Sequence, residues 1–508
     1  MALSSRVMLN GVASLAVFAT GVFVNLLITP LLLARFGETL FGVLSVLNRL
    51  SSYLTAVDGR PSQALKWRVA SQQHSTDDYD KKEDVGSAIG IWFATLPLLL
   101  ICGSILVWFS PYATGAPTDT YLMLRITSAV LVGGFLLSGL IEIPGAVLRG
   151  MNVEYRSFFL LMAITIVNGW ATWVLVSKGG GLPTVAIIRV LGGVLTGIGT
   201  YILAKAYVPW FGARCPKKGK LLQFGRLTIW FMIWGVSFRL LMETDILVLS
   251  TFSSTSAVSS YTITGMMTTA LTAILRIAAT SMMPGLGGII GEGDYKRASR
   301  LRAEGLLICW GTGTVAAFLV LTLNHSFVSL WVGSRYYAGT LTNLLLCFIM
   351  LQFIFLYLDS LIVDLALDLK KKTFLSFLVG AFSILLASFW IPRYGILGLC
   401  CSLFVGRFPL LIAYPQIVHS ILGKTKSLQA TQWFRRTAIS SILFVIGMGL
   451  EVYLKPKSWS TLLLLLTLVC LFGATFVFVF GLSAYEKINI RARFVGLLTV
   501  FQARNASH

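Results

Sequence analysis

The fold is decided by the stretch Leu222–Phe252, which reads LQFGRLTIWFMIWGVSFRLLMETDILVLSTF. It is long and apolar enough to cross a lipid bilayer, since about 20 residues suffice. Yet Arg239, Glu243 and Asp245 lie inside it. A charge at membrane depth costs roughly 2.5–3.5 kcal/mol on insertion scales, so such residues mostly face a bundle interior or a wet cavity. The stretch predicts a membrane helix that lines a polar cavity in a transporter. The alternative is a self-neutralised pair, because Arg239 and Glu243 are four residues apart on one helical face.

The composition is typical of a membrane protein. Of the 508 residues, 56% are hydrophobic and only 12% are charged, whereas a soluble protein carries about 25% charged residues. Lysine and arginine outnumber the acids by 41 to 20. They lie in short clusters between apolar runs and not on one soluble face, which excludes a nucleic-acid partner. Six of the seven cysteines lie in apolar runs and no CxxC pair occurs, so we expect no structural disulfide, no metal site and no cofactor.

Hydropathy predicts an all-α polytopic membrane protein with about fourteen membrane-spanning helices. The second is the least apolar because Arg49 lies among its serines and asparagine, and a mixed helix more often faces a cavity than lipid. The first continues to Leu33 and is longer than a signal-peptide core, so we expect it to be retained. The predicted spans are Met8–Leu33, Leu40–Ala56, Val85–Phe109, Tyr121–Ile143, Phe158–Val176, Val185–Ala204, Leu222–Thr251, Ala257–Met283, Leu306–Leu323, Thr340–Val363, Phe374–Trp390, Ile396–Val418, Ala438–Leu454 and Thr461–Leu482.

The basic residues predict the orientation of these helices. With an even number of spans, both termini share one side of the membrane. That side receives 29 of the 41 lysines and arginines, and the opposite side receives six. Because basic residues concentrate in cytoplasmic loops, we expect both termini in the cytoplasm.

The first twelve predicted spans form two repeats of six. Ser75–Trp92 resembles Gly291–Trp310, and Tyr79 lies 216 residues before Tyr295. Repeats with an even number of spans share one orientation, which predicts two pseudo-symmetric lobes with a central site between them. We divide the chain into an N-terminal six-helix lobe (1–205), a basic cytoplasmic linker (206–221), a C-terminal six-helix lobe (222–422), an extra helix pair (431–483) and a cytoplasmic tail (484–508).

Two stretches resemble polysaccharide exporters. One is Asn10–Gly42, NGVASLAVFATGVFVNLLITPLLLARFGETLFG, and the other is Thr244–Thr264, TDILVLSTFSSTSAVSSYTIT. In that family an Asp, an aliphatic run, a short polar gap and a Tyr commonly mark the seventh and eighth helices, and Asp245 and Tyr261 match these positions. Over about residues 1–420 the chain thus resembles the Wzx-type lipid-linked oligosaccharide flippases of the multidrug/oligosaccharidyl-lipid/polysaccharide flippase superfamily.

The resemblance implies a function and its partners. It implies that an undecaprenyl-pyrophosphate-linked oligosaccharide moves from the cytoplasmic to the outer leaflet of the bacterial cytoplasmic (inner) membrane, for the synthesis of O-antigen or exopolysaccharide. It further implies alternating access around a central vault, contact with membrane lipids, and a polysaccharide polymerase and assembly proteins as partners. A proton or a sodium ion is the expected coupling ion, and the substrate gradient alone is the alternative.

Such an anionic cargo requires cations in the vault. Arginine suits phosphate because its planar guanidinium donates two parallel hydrogen bonds. We expect Arg49, in the second span, and Arg239, in the seventh, to bind the substrate from opposite lobes. Arg276 is a third substrate-binding candidate at the mouth of the vault, or alternatively it extends to the cytoplasmic headgroups. For Arg189 and Arg407, at matching places in the sixth and twelfth spans, we expect packing or a backbone-carbonyl partner.

Four acidic residues are candidates for cation coupling or for the cavity wall, namely Asp58, Glu142, Asp245 and Asp359. A carboxylate that is withdrawn from water holds a proton more readily and can exchange it as its surroundings alternate. Asp359 is the strongest candidate because it lies in the middle of the tenth span. Asp245 alternatively pairs with an arginine, and Asp58 alternatively caps the second helix or pairs with Arg60.

Two other classes of protein remain open. A drug or cation exporter of the same superfamily normally has twelve spans and an acidic vault. A membrane enzyme acting on lipid-linked sugars generally has a large outer loop, but the longest predicted outer loop here is about Asn324–Gly339 and no outer loop carries a DxD-type acid pair. The four histidines show no catalytic spacing. We therefore expect a transporter and not an enzyme.

Overall fold

The structure, a computed structural model, describes an all-α chain. It covers residues 3–57, 61–72, 76–115, 118–281, 286–287, 289–290, 293–365, 369–423, 430–483 and 486–487. Within these ranges every regular element is helical, and ten helices are long and apolar enough to cross a bilayer. These observations confirm the predicted fold class of an all-α polytopic membrane protein.

The described α-helices are numbered here in chain order. They are α1 (Leu3–Val57), α2 (Pro61–Ser71), α3 (Asp78–Thr114), α4 (Tyr121–Gly150), α5 (Phe158–Ser177), α6 (Leu182–Tyr207), α7 (Lys218–Met242), α8 (Asp245–Phe252), α9 (Thr255–Thr264), α10 (Met266–Ser281), α11 (Tyr295–Trp331), α12 (Thr340–Leu365), α13 (Leu369–Leu422), α14 (Ala430–Tyr453) and α15 (Trp459–Phe476). A π-helical turn, Val477–Gly481, follows α15 directly.

The two longest helices each contain two predicted spans. A helix of the length of α1 would measure about 80 Å at 1.5 Å per residue, more than twice the roughly 30 Å hydrocarbon core. Each is interrupted by one glycine with a left-handed φ, 71° at Gly37 in α1 and 55° at Gly395 in α13. Glycine adopts this conformation without the steric cost that a Cβ would bring. The chain turns back there, and each half becomes one span.

The predicted seventh span is not continuous, which corrects the sequence analysis. Helix α7 ends at Met242 and α8 begins at Asp245. The hydroxyl of Thr244 donates to the carbonyl of Leu240 (3.0 Å), so a side chain satisfies a carbonyl at the interruption. The predicted eighth span is likewise divided, into α9 and α10, at Gly265. Both interruptions lie at short polar breaks within longer apolar runs, and hydropathy averaged over a span does not resolve them.

Helices α3 and α11 match at the positions that the predicted repeat pairs. Both helices contain 37 residues. Each begins after an aspartate that caps it: Asp77 accepts from the amide of Asp80 and Asp294 from the amide of Arg297, both at 3.0 Å. An aspartate at the N-cap satisfies an amide that the helix leaves free. The division into lobes, linker, helix pair and tail remains a prediction.

Burial separates the helices at the centre from those at the lipid boundary. In the most apolar 18-residue stretch of α11 and of α12, 67% of the residues are buried. In the other eight candidate membrane helices, 33% or less are buried. Large apolar side chains such as Phe159 and Trp170 on α5 are 85% and 67% exposed. Such side chains are stable only against lipid, so α5 lies at the rim and α11 and α12 lie inside.

The predicted extra helix pair packs on α11. The indole of Trp310 donates to the hydroxyl of Ser440 on α14 (3.1 Å). On α14 and α15, Gly447 and Gly473 bring their backbones against the ring of Phe318. Small residues allow this close approach, which dispersion forces then stabilise. The pair therefore forms part of the C-terminal half of the molecule.

Candidate functional site

A cavity of about 360 Å³ lies between α1 and the helices that follow α7. Its walls come from α1, α7, α8, α9, α10, α12 and α13, and both helix interruptions, at Glu243–Thr244 and at Gly265, contribute to it. Interrupted helices free backbone groups at membrane depth, and transporters use such places for their substrate sites. The charged side chains that line the cavity are Arg49, Glu243, Asp245, Arg276 and Arg407.

Glu243 joins the two arginines that the sequence analysis expected to bind substrate. Its Oε2 bonds Nη1 of Arg239 one turn earlier in α7. The same oxygen lies 3.8 Å from Nη1 of Arg49, which comes from α1. The predicted alternative of a pair between Arg239 and Glu243 is therefore present. The predicted proximity of Arg49 and Arg239 is present as well, because Glu243 lies between them.

Side chains from two other helices, α1 and α13, satisfy carbonyls at the end of α7. The hydroxyl of Tyr53 on α1 donates to the carbonyl of Arg239 (3.3 Å) and also bonds Thr244. Nη2 of Arg407 on α13 donates to the carbonyl of Leu241 (2.5 Å). A buried carbonyl without a donor is costly at membrane depth. These bonds therefore stabilise the interruption and fix α1 and α13 beside it.

Arg407 has the backbone-carbonyl partner that the sequence analysis expected, but it also lines the cavity. The sequence analysis did not predict that Arg407 lines the cavity. Arg189, its counterpart in α6, donates instead to Oδ1 of Asn48 (2.5 Å). No signal in the sequence distinguishes the two, because the partner of each is distant along the chain.

Asp245 bonds a tyrosine and not an arginine. The hydroxyl of Tyr261 donates to Oδ2 of Asp245 at 2.8 Å. The other oxygen, Oδ1, is buried and has no hydrogen-bond partner within the described residues. The alternative in which Asp245 forms an ion pair with an arginine is thus not seen among these residues. The structure instead brings together the Asp and the Tyr on which the family resemblance was based.

Arg276 lines the cavity from α10, and its side chain is exposed. With Arg49 and Arg407, three arginines line the cavity, against the two acids Glu243 and Asp245. A fourth arginine, Arg239, contacts the lining residue Glu243. The site therefore carries an excess of positive charge.

Asp359 does not line this cavity, which corrects its expected place. Its two oxygens accept from Nε and Nη2 of Arg302 at 2.7 and 2.8 Å, and the residue is buried. A bidentate ion pair of this kind is a strong interaction that fixes both side chains. A coupling role of Asp359 stays a prediction.

Of the other two predicted acids, only Glu142 is described, and it does not line the cavity. Glu142 on α4 is exposed and accepts from the hydroxyl of Ser62 on α2 (3.2 Å). The sequence analysis did not predict α2, which places Ser62 there. Asp58 lies outside the described residues, as does its predicted partner Arg60. Of the predicted coupling acids, Asp245 lines the cavity.

An apolar groove of about 490 Å³ lies on the other side of α10. It is lined by α10, α11, α15 and the π-helical turn. Leu271, Ile274 and Leu275 of α10 face the groove, whereas Thr272 and Arg276 of the same helix face the charged cavity. Helix α10 thus separates a cationic compartment from an apolar one.

The ten long apolar helices define an integral membrane protein. The chain shares the fold of a lipid II flippase, MurJ, in an inward closed conformation, with a TM-score of 0.66 and 14% identity over 92% of this chain and 98% of that one. It is also similar to an inward-facing multidrug resistance MATE family transporter of the MOP superfamily, with a TM-score of 0.60 and 14% identity over 82% of this chain and 100% of that one.

The sequence comparisons are more distant. No family model matches the chain. A curated relative, the uncharacterized membrane protein EpsK of Bacillus subtilis (strain 168), is 20% identical over 528 aligned residues, which cover 96% of this chain and 97% of EpsK. The fold is therefore the one that the MurJ and MATE structures share.

Proposed function

We propose that the protein is a flippase that moves a lipid-linked oligosaccharide with an undecaprenyl-pyrophosphate anchor from the cytoplasmic to the outer leaflet. The observation that carries this proposal is the cavity lined by three arginines, from α1, α10 and α13, with a fourth, Arg239 of α7, bonded to the lining residue Glu243. A pyrophosphate is a dense anion, and guanidinium groups bind its oxygens through charge-assisted hydrogen bonds. A cationic cavity suits such a cargo better than it suits a cationic drug.

The two sides of α10 match the two ends of this cargo. The cavity suits the pyrophosphate and the sugar next to it, since about 360 Å³ lies at the low end of the roughly 300–1,000 Å³ typical of ligand sites. Longer sugar chains require the cavity to open. The apolar groove beyond Leu271 and Leu275 suits a prenyl chain, since burial of its methylene groups there replaces contact with lipid tails.

Contacts at both ends of the helices join the two predicted lobes. At one end, Glu38 of α1 accepts from the hydroxyl of Ser256 on α9 (2.9 Å), and Arg335 lies 3.6 Å from it. At the other end, Lys220 of α7 bonds Asp80 and lies 3.4 Å from Asp84, both on α3. In the proposed alternating access, each set of contacts opens in turn.

The proposal includes a location and partners. The protein resides in the bacterial inner membrane with both termini in the cytoplasm. It delivers the translocated oligosaccharide to a polysaccharide polymerase and to assembly proteins. EpsK, an uncharacterized membrane protein, is a relative over nearly the whole length of the chain, which supports the membrane location. A proton or a sodium ion is the proposed coupling ion.

A small-molecule exporter is the second candidate, because the chain shares its fold with a MATE transporter over 82% of its length. The excess of arginine at the cavity opposes a cationic drug as cargo. Uptake or efflux of a small cation by the purified protein, with no transport of a lipid-linked sugar, would establish this candidate instead.

The test is translocation of an undecaprenyl-pyrophosphate-linked oligosaccharide in proteoliposomes. We expect Arg49→Ala and Arg239→Ala each to reduce transport by about tenfold or more at matched protein content, since one hydrogen bond to a charged group contributes roughly 1.5–3 kcal/mol. Arg393→Ala is the control, because Arg393 is exposed beside the turn in α13 and should transport like wild type. An equal loss of transport and of protein abundance would assign Arg49 and Arg239 to folding.

A further inference from the structure

Glu243 lies between Arg49 and Arg239, in the position that a substrate anion needs in order to bind both arginines. One oxygen, Oε2, contacts Arg239 on its own helix and Arg49 on α1. Glu243 also lines the cavity, so its carboxylate is accessible to a bound substrate. A carboxylate and a phosphate present the same kind of oxygen to a guanidinium. Glu243 and the pyrophosphate therefore compete for the same donors.

The two contacts of Glu243 differ in strength. The bond to Arg239 is within hydrogen-bonding range, whereas the 3.8 Å separation from Arg49 is an ionic contact without a hydrogen bond. Glu243 lies where α7 has ended, with φ −128° and ψ 2°. Its side chain can turn away from Arg49 without breaking a helix. Substrate can thus displace it from Arg49 first.

We propose that Glu243 is a displaceable counter-anion that occupies the arginine site when the transporter is empty. This role of Glu243 rests on the proposed function, because it assumes an anionic cargo in the cavity. Arginines at membrane depth need a counter-charge while no cargo is bound, since an unpaired buried charge is strongly unfavourable. The return of Glu243 to Arg49 also favours release of the cargo.

This role predicts opposite changes in binding and turnover. Glu243→Gln removes the competing charge, so the substrate binds more tightly and KM falls. The same change removes the group that favours release, so kcat falls as well. A residue that only stabilises the fold would not lower KM, and a residue that only binds substrate would raise it.

The binding test uses inorganic pyrophosphate and the purified full-length protein in detergent. We expect Glu243→Gln to lower the Kd for pyrophosphate by about fivefold to tenfold, the effect of removing one close charge pair. The matched control is Glu451→Gln, because Glu451 is also buried and bonded, in this case by Tyr337 at 2.6 Å, but does not line the cavity. Its Kd should equal that of wild type.

A second pair of variants covers the case in which Glu243→Gln fails to fold because Arg239 loses its partner. Arg239→Gln combined with Glu243→Gln removes both charges and keeps the net charge of wild type. It should bind pyrophosphate more tightly than Arg239→Gln alone, by a similar factor. Unchanged or weaker binding upon loss of Glu243 in these comparisons would overturn the counter-anion role.

The outcomes separate this inference from the proposed function. If Glu243→Gln tightens pyrophosphate binding but wild-type protein moves no undecaprenyl-linked sugar, the counter-anion stands and the proposed cargo fails. If wild type moves the cargo and Glu243→Gln does not tighten binding, the cargo stands and the counter-anion fails. Absence of pyrophosphate binding in wild type and in both Glu243 variants overturns the counter-anion.

Discussion

Arg407 shows how one side chain can serve both the fold and the cavity. It is 5% exposed, donates to the carbonyl of Leu241 and faces the cavity beside Asp245. Arg49, by contrast, has a side chain that is 34% exposed. We therefore propose different roles for two arginines at the same cavity: Arg407 contributes chiefly to stability and Arg49 chiefly to substrate binding.

Replacing Arg407 by Met should destabilise the protein. The carbonyl of Leu241 loses its donor, and an unsatisfied buried group costs about 1–3 kcal/mol. We expect a lower midpoint of thermal unfolding in detergent and less protein in the membrane. Arg393→Met, at an exposed position, should unfold like wild type. Wild-type stability of Arg407→Met together with lost transport would instead make Arg407 a substrate-binding residue.

At the scale of the element, α10 presents different chemistry on its two sides. The threonines and Arg276 that line the cavity alternate along the helix with the leucines that line the groove. Gly311 on α11 lines the groove on the side opposite α10. A Cβ added at this glycine would lie 3.5 Å from Val477. A larger side chain at this position enters the groove directly.

Gly311→Phe should therefore impair the transport of cargo with a long prenyl chain. Its ring occupies groove volume, and overpacking costs about 1–3 kcal/mol. We expect a smaller loss with a shorter prenyl carrier, measured by translocation of both lipids in proteoliposomes. The control is Gly193→Phe on α6, where a Cβ would meet nothing within 4 Å. Equal loss with both carriers would assign the effect to the packing of α11.

The elements of the site differ in how far the sequence could predict them. Arg49, Asp245 and Arg276 were found because a charge within an apolar run is costly and needs a polar cavity. The end of α7 before Thr244 was not found, since apolar residues on both sides of Glu243–Asp245 predict one continuous span. The pairing of Asp359 with Arg302 was missed for a different reason: the two residues are 57 positions apart, and hydropathy does not show which helix faces meet.

At the scale of the whole molecule, the predicted lobes meet at two separate places. One contact joins Lys220 to α3, and the other joins Ser256 to α1. Helices α7 and α8 connect Lys220 to Ser256 along the chain. Close to the second contact, Gly42 of α1 approaches Thr255 so closely that an added Cβ would lie 2.0 Å from its carbonyl oxygen. Rocking of the lobes must separate these surfaces, so either contact is a place where the cycle can be stopped.

A disulfide between Cys residues introduced by Glu38→Cys and Ser256→Cys should stop transport. The side chains of Glu38 and Ser256 already touch at 2.9 Å, so the bond holds this end closed. The background carries Cys215→Ser and Cys470→Ser, since both native thiols are exposed. We expect loss of translocation after oxidation and recovery after reduction. Glu38→Cys alone is the control, and continued transport by the oxidised pair would mean that this end need not open.

The packing of α14 and α15 against α11 has a consequence for how cargo is chosen. These two helices follow the helices that line the charged cavity, and α15 supplies one wall of the apolar groove. A chain that stopped at Leu422 would keep the arginines and lose that wall. In the proposed function, recognition of the prenyl chain therefore depends on a separate pair of helices, which can be altered without changing the part of the protein that binds the anionic group.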